Sequence, residues 1–334
     1  MRSAAKPKAT EERLEEIRKA ASENAKATEA VQPSVRSPRA QKEESYYGLP
    51  ALKAPVWTWE VPLYFFLGGI AGTSGCIAFV AQLFRSDSRL IRVSLWVALL
   101  GAAICPLLLI ADLGKPTRFL NMLRVFKARS TMSLGAWILV AFSGCAFLAL
   151  LCIELLFRGF ANPLSSSLLW LGEASAAVAG LLLASYTGVL LGATAIPVWS
   201  ENRRLLPAHF LTSGLGCSAA ILELAGFLIP ATQVLGFVTS GIETLIDLIL
   251  VVQKRSVDAP LHHGASGWTL RIAGVLEGPA ALLLRVFWGS TPGGRYAAAI
   301  SFILGALLSR YAWISAGRFS AHDPHALFQL QRKA

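Results

Sequence analysis

Residues 61–84 read VPLYFFLGGIAGTSGCIAFVAQLF, and residues 90–112 follow as LIRVSLWVALLGAAICPLLLIAD. Each run exceeds the roughly 20 residues that a helix needs to cross a bilayer core about 30 Å thick. With no water in that core, a lone segment satisfies its backbone donors and acceptors only by closing them within a helix. The same signal recurs at 133–157, 168–190, 208–230, 232–252, 269–289 and 297–316. The fourth run can extend to Trp199, and Glu243 and Asp247 interrupt the sixth. The expected fold is therefore all-α, with eight transmembrane helices and, the count being even, both termini on one side.

Composition agrees. Hydrophobic residues make up 54% of the 334-residue chain and charged residues 15%, too apolar a balance for a soluble domain of this size. The net charge of +11 does not indicate a nucleic-acid partner, because the basic residues fall in short loops between apolar runs, as in membrane proteins. The bilayer is the expected partner.

Three regions differ in character. Residues 1–45 are rich in Glu, Lys, Arg and Ala, with a capped helix start at Thr10-Glu11-Glu12-Arg13. This segment reads as a hydrophilic, partly helical or disordered extension, without the apolar stretch of an export signal. Residues 46–320 hold the membrane domain, and 321–334 form a short basic tail. Seventeen Lys and Arg lie at the face bearing the termini, the N face, among them Lys115, Arg118, Arg124, Lys127 and Arg129 of the second loop. Six lie opposite: Arg85, Arg89, Arg92, Arg158, Arg285 and Arg295. The bias predicts a cytoplasmic N face in a bacterial inner membrane.

Polar residues concentrate at that face. Trp57, Trp59, Glu60 and Tyr64 open the first span, with Glu60 and Tyr64 one turn apart on one helix side. Asp112 ends the second, followed by Lys115 and Arg118; Tyr186 and Thr187 fall late in the fourth, and His209 opens the fifth. Aromatic walls with a few hydrogen-bond donors suit an apolar ring bearing two carbonyls, as in a quinone headgroup. An interfacial aromatic belt with snorkelling charges is the plain alternative. A second set, Glu154, Glu173, Glu223, Glu243, Asp247 and Glu277, lies deeper or toward the other face, with few cations inside the spans to pair with them apart from Arg310. Intramembrane acids mark proton routes often enough that Glu173, Glu223, Glu243, Asp247 and Glu277 are candidates for one; acids hydrogen-bonded to helix backbone are the alternative.

Several chemistries are not expected. Of His209, His262, His263, His322 and His325 only His209 touches a span, so two axial haem ligands are lacking. The cysteines Cys76, Cys105, Cys145, Cys152 and Cys217 are scattered, which argues against an iron–sulfur cluster in this chain. No metal ligand set, nucleotide-binding loop or catalytic triad is suggested.

A series of blocks then carries a resemblance: Tyr46-Tyr47-Gly48-Leu49-Pro50, Trp59-Glu60-Val61-Pro62-Leu63-Tyr64, Asp112-Leu113-Gly114-Lys115-Pro116-Thr117-Arg118, Met132-Ser133-Leu134-Gly135, Ser185-Tyr186-Thr187-Gly188, Leu206-Pro207-Ala208-His209-Phe210 and Arg310-Tyr311-Ala312-Trp313. In this order they resemble the NrfD/PsrC family, the quinone-interacting membrane subunits of polysulfide-reductase-type complexes. The resemblance implies two four-helix bundles and electron exchange with menaquinone or ubiquinone. It implies a ferredoxin-like iron–sulfur partner, with a molybdopterin or multihaem catalytic subunit beyond it. It also implies a quinone near the start of the first helix and a tyrosine of the fourth, which Tyr186 matches. The candidate quinone-binding set is thus Trp59, Glu60, Tyr64, Asp112, Arg118, Tyr186, Thr187 and His209, with no catalytic residue belonging to the chain alone. Family members often dock their partner on the outer face. Either the partner here is cytoplasmic, or the basic second loop binds it and misleads the charge rule. A proton or ion translocator and a passive anchor are the competing functions.

Overall fold

The computed structural model describes residues 55–113, 129–160, 162–253 and 256–323, together with positions 19, 52, 119, 123, 124, 126 and 127. The chain divides into two compact units, 1–53 and 54–334. Apart from Lys19, the expected N-terminal extension lies outside the described residues, as do Arg118 and the tail beyond Asp323.

The second unit is helical, with no strand among the described residues. Its helices are α1 (Glu60–Leu83), α2 (Ser88–Asp112), α3 (Thr131–Phe157), α4 (Pro163–Gly192), a short α5 (Pro197–Glu201), α6 (Leu205–Leu224), α7 (Pro230–Val252), a short α8 (Ala259–His262), α9 (Gly264–Val275), α10 (Ala281–Trp288) and α11 (Pro292–Ala321). Seven of them are individually long and apolar enough to cross a membrane. The eighth crossing is α9 and α10 joined by a π-turn at Leu276–Ala280. Pro279 sits in that turn and supplies no backbone donor, so the regular ladder widens there. Residues 264–288 together rise about 37 Å at 1.5 Å per residue, enough to span.

The boundaries follow local chemistry. Asp87, Ser130 and Thr291 cap α2, α3 and α11 with side-chain oxygens, and Asn162 forms a reciprocal capping box with Ser165 on α4. Pro163, Pro230 and Pro292 occupy first-turn positions where a missing N–H is harmless. Gly159 and Gly226 turn the chain out of α3 and α6 at φ +86° and +95°. The fourth span does not reach Trp199 as the sequence allows. It stops at Gly192, and Pro197 restarts the separate helix α5, which carries Trp199 into the core with no exposed surface.

Helices α1 to α4 pack mutually as one group; α6, α7, the α9–α10 crossing and α11 form the other. These are the two four-helix bundles that the resemblance implied. Helix α1 belongs to both, since it also packs on α6 and α11, while α4 packs on α6. Lipid offers no hydrophobic drive for helices to associate, so close van der Waals packing and interhelical hydrogen bonds must hold them. A Cβ on Gly72 would lie 2.3 Å from the Gly180 carbonyl oxygen of α4, and one on Gly214 3.0 Å from the Gly69 carbonyl oxygen. Beside the second crossing, Ser74 donates to Ser218 (2.9 Å), Thr73 and Ser218 share a hydrogen bond (2.7 Å), and Ser218 also approaches the Ile70 carbonyl (3.0 Å).

Gly72→Ala is therefore expected to cost about 1–3 kcal/mol or more, as an overpacked contact does, and to lower the melting temperature of the detergent-purified protein. Gly144→Ala, where no atom lies within 4 Å of the added carbon, should melt at or above the wild-type temperature.

Candidate functional site

Consecutive spanning helices alternate in direction. The starts of α1, α3 and α6 therefore share the N face with the ends of α2, α4 and α7. At its rim, Thr58 ties α1 to α2: its backbone N–H and hydroxyl reach Asp112 Oδ1 at 3.4 and 3.3 Å, and the same hydroxyl contacts the Glu60 carboxylate. Two carboxyls thus flank one hydroxyl at the N-face ends of α1 and α2. Trp59 is 59% exposed, and its carbonyl accepts from Tyr311 Oη at 3.0 Å.

One turn further in, Tyr64 and Tyr186 are buried in the same core cluster. Gly135 of α3 makes room for Tyr186, since a Cβ there would fall 2.1 Å from the phenol ring. Neither tyrosine hydroxyl has a hydrogen-bond partner among the described residues. Thr187 donates back to Ala184 of its own helix (3.2 Å), which leaves that hydroxyl engaged.

An aromatic wall leads inward. Trp57 stacks on Trp199 at 5.5 Å and 14°, and the Trp199 indole donates to the Trp313 carbonyl at 2.9 Å. Phe65 touches Trp57, Tyr64 and Phe210 at ring distances of 6.3, 5.6 and 6.2 Å. Phe210 adjoins His209 at 5.6 Å. His209 is buried: Nδ1 lies 2.6 Å from Glu243 Oε2, and Nε2 lies 2.8 Å from Ser309 Oγ. The imidazole can hold only one proton while neutral, so one of these contacts is donated and the other accepted, and the pair can exchange roles.

His209, Glu243 and Glu277 bring ligand atoms within 4.8 Å of one another. Glu243 Oε1, Glu277 Oε1 and the Ser240 hydroxyl have no hydrogen-bond partner among the described residues. The Arg310 guanidinium lies 3.8 Å from the Phe210 ring centre and donates to the Phe210 carbonyl at 3.2 Å, while its Nε and Nη1 have no partner among the described residues. Buried polar atoms without partners are costly, about 1–3 kcal/mol each, and a group of them marks a place for water, a mobile proton or a small ion. A histidine with two carboxylates is a donor set that metals accept. The fixed positive charge of Arg310 on the same buried wall disfavours a divalent ion and suits a proton-holding network.

The other acids separate by environment. Glu173 on α4 is fully buried, and neither of its oxygens has a partner among the described residues. Asp247 lies one turn past Glu243 on α7 and fits against Gly274, where a Cβ would sit 2.1 Å from its carboxylate. Glu154 is held by Arg92 through two bonds of 2.6 and 2.9 Å and by the Trp96 indole at 2.9 Å. Glu223 departs from the expectation of acids without cationic partners. Arg285 grips both its oxygens at 3.0 and 2.8 Å, and Arg295 bonds Oε1 at 3.0 and 2.6 Å while also reaching Thr232 and the Ile229 carbonyl. All three groups are buried. Read along the chain, Arg285 and Arg295 look like loop residues of the far face; their long side chains turn inward from α10 and α11. Counting depth from that face in α6, α10 and α11 together would have found the match.

The structure thus splits the candidate set. Glu60 and Asp112 form the rim, Tyr64 and Tyr186 the wall behind it, and His209 a deeper centre shared with Glu243 and Glu277. Glu60, Asp112, Tyr64, Tyr186 and His209 lie toward the N-face ends of their helices, Trp59 is exposed, and Arg118 is outside the described residues.

Fold and site together define a multi-pass helical membrane protein with a buried polar centre. Residues 44–322 match the family model described as polysulfide reductase, of the NrfD type, and the chain belongs to that family. It is 30% identical over 193 residues to the polysulfide reductase C polypeptide of Wolinella succinogenes, covering 52% of this chain and 59% of that protein. It is also 30% identical over 189 residues to protein NrfD of Escherichia coli, covering 51% and 59%. The matched stretch thus spans less than two thirds of either relative.

Glu223→Gln should be strongly destabilising, because it leaves two buried arginines facing each other; loss of one member of a buried pair costs about 3–5 kcal/mol. Thermal unfolding of the detergent-purified variant reads the effect, with Glu154→Gln, at a pair that is partly exposed, expected to shift the melting temperature much less.

Proposed function

We propose that this chain is the quinone-site subunit of a membrane oxidoreductase complex in a bacterial inner membrane. Membership of the polysulfide reductase family supports a membrane subunit of a respiratory complex. The observation that carries the finer reading is the pair of buried tyrosines, Tyr64 and Tyr186, with unengaged hydroxyls beside the Glu60–Thr58–Asp112 rim.

The tyrosine hydroxyls would donate to the headgroup carbonyls, and the Phe65, Trp57 and Trp199 rings would wall its apolar edge. Full reduction of a quinone takes two electrons and two protons. Asp112 and Glu60 would hand protons from the N-face water to the headgroup oxygens. The electrons would come from, or return to, an iron–sulfur partner docked on the N face, in keeping with the scattered cysteines and single intramembrane histidine of this sequence. The excess of Lys and Arg at that face favours a cytoplasmic partner. Beyond it a molybdopterin or multihaem subunit would handle the terminal substrate. His209 contacts neighbours through both ring nitrogens behind Phe210, so we assign it to proton handling rather than to the carbonyls.

A second reading, coupled proton translocation, is favoured by the unpartnered oxygens grouped at His209, Glu243 and Glu277. Glu173 and Asp247 would extend such a route through each bundle. Glu223, held by two arginines, is the least free of the candidate acids.

In the intact complex, Tyr186→Phe and Asp112→Asn are each expected to lower quinone-linked turnover roughly 5–30-fold, the equivalent of one or two lost hydrogen bonds. Reduction of a soluble dye by the partner subunits should stay unchanged. Full quinone turnover in both variants would instead mean a passive anchor. For the second reading, Glu243→Gln should abolish proton uptake by reconstituted vesicles while quinone turnover persists; retained uptake rejects translocation.

A further inference from the structure

The face opposite the tyrosines carries a feature that neither reading uses. A recess of about 270 Å³ opens between α2 and α3 toward the surrounding hydrocarbon. Its inner part is lined by Leu99, Phe147 and Leu151, and its outer end by Trp96, Glu154 and Arg158. Phe147 is 57% exposed and Leu151 45% exposed, so the recess is open along its length. From Phe147 to Arg158 it runs about 16 Å along α3 at 1.5 Å per residue. Every charged group sits at the interfacial end.

The volume falls below the roughly 300–1,000 Å³ typical of pockets that enclose a whole compact ligand. It suits one stretch of an elongated, flexible molecule. The charge at the outer end is not balanced. Glu154 is engaged with Arg92 and Trp96. Arg158 follows one turn later at the end of α3, has no ion-pair partner among the described residues, and leaves one positive charge in excess. Arg92 also lies 4.9 Å from the Phe157 ring centre, which fixes the cationic edge in place. A basic head above an apolar channel, with an indole at the interface, has the polarity of a single lipid.

We propose that this recess is a specific site for one anionic glycerophospholipid of the far leaflet. Its phosphate group lies against Arg158 and Arg92, and one acyl chain runs along Phe147 and Leu151. The site is independent of the quinone reading.

The test uses the full chain in mild detergent, stripped of lipid and titrated with phosphatidylglycerol or phosphatidylcholine of identical acyl chains. Native mass spectrometry reads the lipid retained per chain. The expected result is one retained phosphatidylglycerol, bound about tenfold more tightly than phosphatidylcholine. Arg158→Gln, at an exposed helix end where folding is not at stake, should remove the preference. Leu151→Trp, which fills the channel, should lower retention of both lipids. Equal retention of the two lipids by the wild type, or a preference that survives Arg158→Gln, overturns the proposal. A photo-crosslinker at position 147 in native membranes should capture lipid; capture of a polypeptide would show the recess to be a subunit contact instead.

Discussion

Backbone-to-backbone contact at the Gly72–Gly180 crossing is the constraint on which the rest depends. In lipid the helices gain nothing by hiding apolar surface from one another, so they must approach closely or not associate. Glycine at both sides of that crossing brings α1 and α4 together, and Gly69 with Gly214 does the same for α1 and α6. Because α1 takes part in both contacts, it seats one bundle against the other. The start of α1 then fixes where Thr58, Glu60 and Tyr64 stand relative to Asp112, Tyr186 and His209. The serine and threonine bonds around Ser218 lock the same seam with polar contacts that have no competing water.

That packing also sorts the buried polar groups into two kinds. Toward the far face the Glu223 carboxylate is closed, clamped by Arg285 and Arg295, although Arg285 Nε and both Glu173 oxygens have no partner among the described residues. Such a unit resists rearrangement, because removing any member strands charge in a medium that cannot solvate it. Toward the N face the groups stay open. Tyr64 and Tyr186 make no side-chain hydrogen bond to a described residue, and Glu243, Glu277, Ser240 and Arg310 retain atoms without a partner among the described residues. A protein that moves protons or binds a polar headgroup needs open valences where it acts and closed ones where it must hold shape.

Much of this was legible in the chain. The run length and apolarity of segments such as 61–84 and 90–112 announce spans, because the bilayer sets one thickness for all of them. The aromatic and carboxylate residues near the span ends point to the N face, because span count and direction alone place Tyr64, Asp112, Tyr186 and His209 in one leaflet. Less legible was the broken eighth crossing, where Pro279 converts one apolar run into α9, a π-turn and α10. The α5 turn that buries Trp199 was also hidden, since Pro197 admits either a continued or a restarted helix.

Pairing is what the linear order could not give. Arg285 and Arg295 count as far-face loop residues by position, yet meet Glu223 from 62 and 72 residues away. Glu243 and Ser309 come to His209 across 34 and 100 residues. The sequence by itself determined that the chain spans a membrane about eight times, and which leaflet gathers its polar residues, since both follow from hydrocarbon thickness and helix rise. The tertiary structure alone decided which acids are neutralised and which are left open, because that depends on how each helix is rotated about its axis. The glycine crossings, not the hydrophobic pattern, set that rotation.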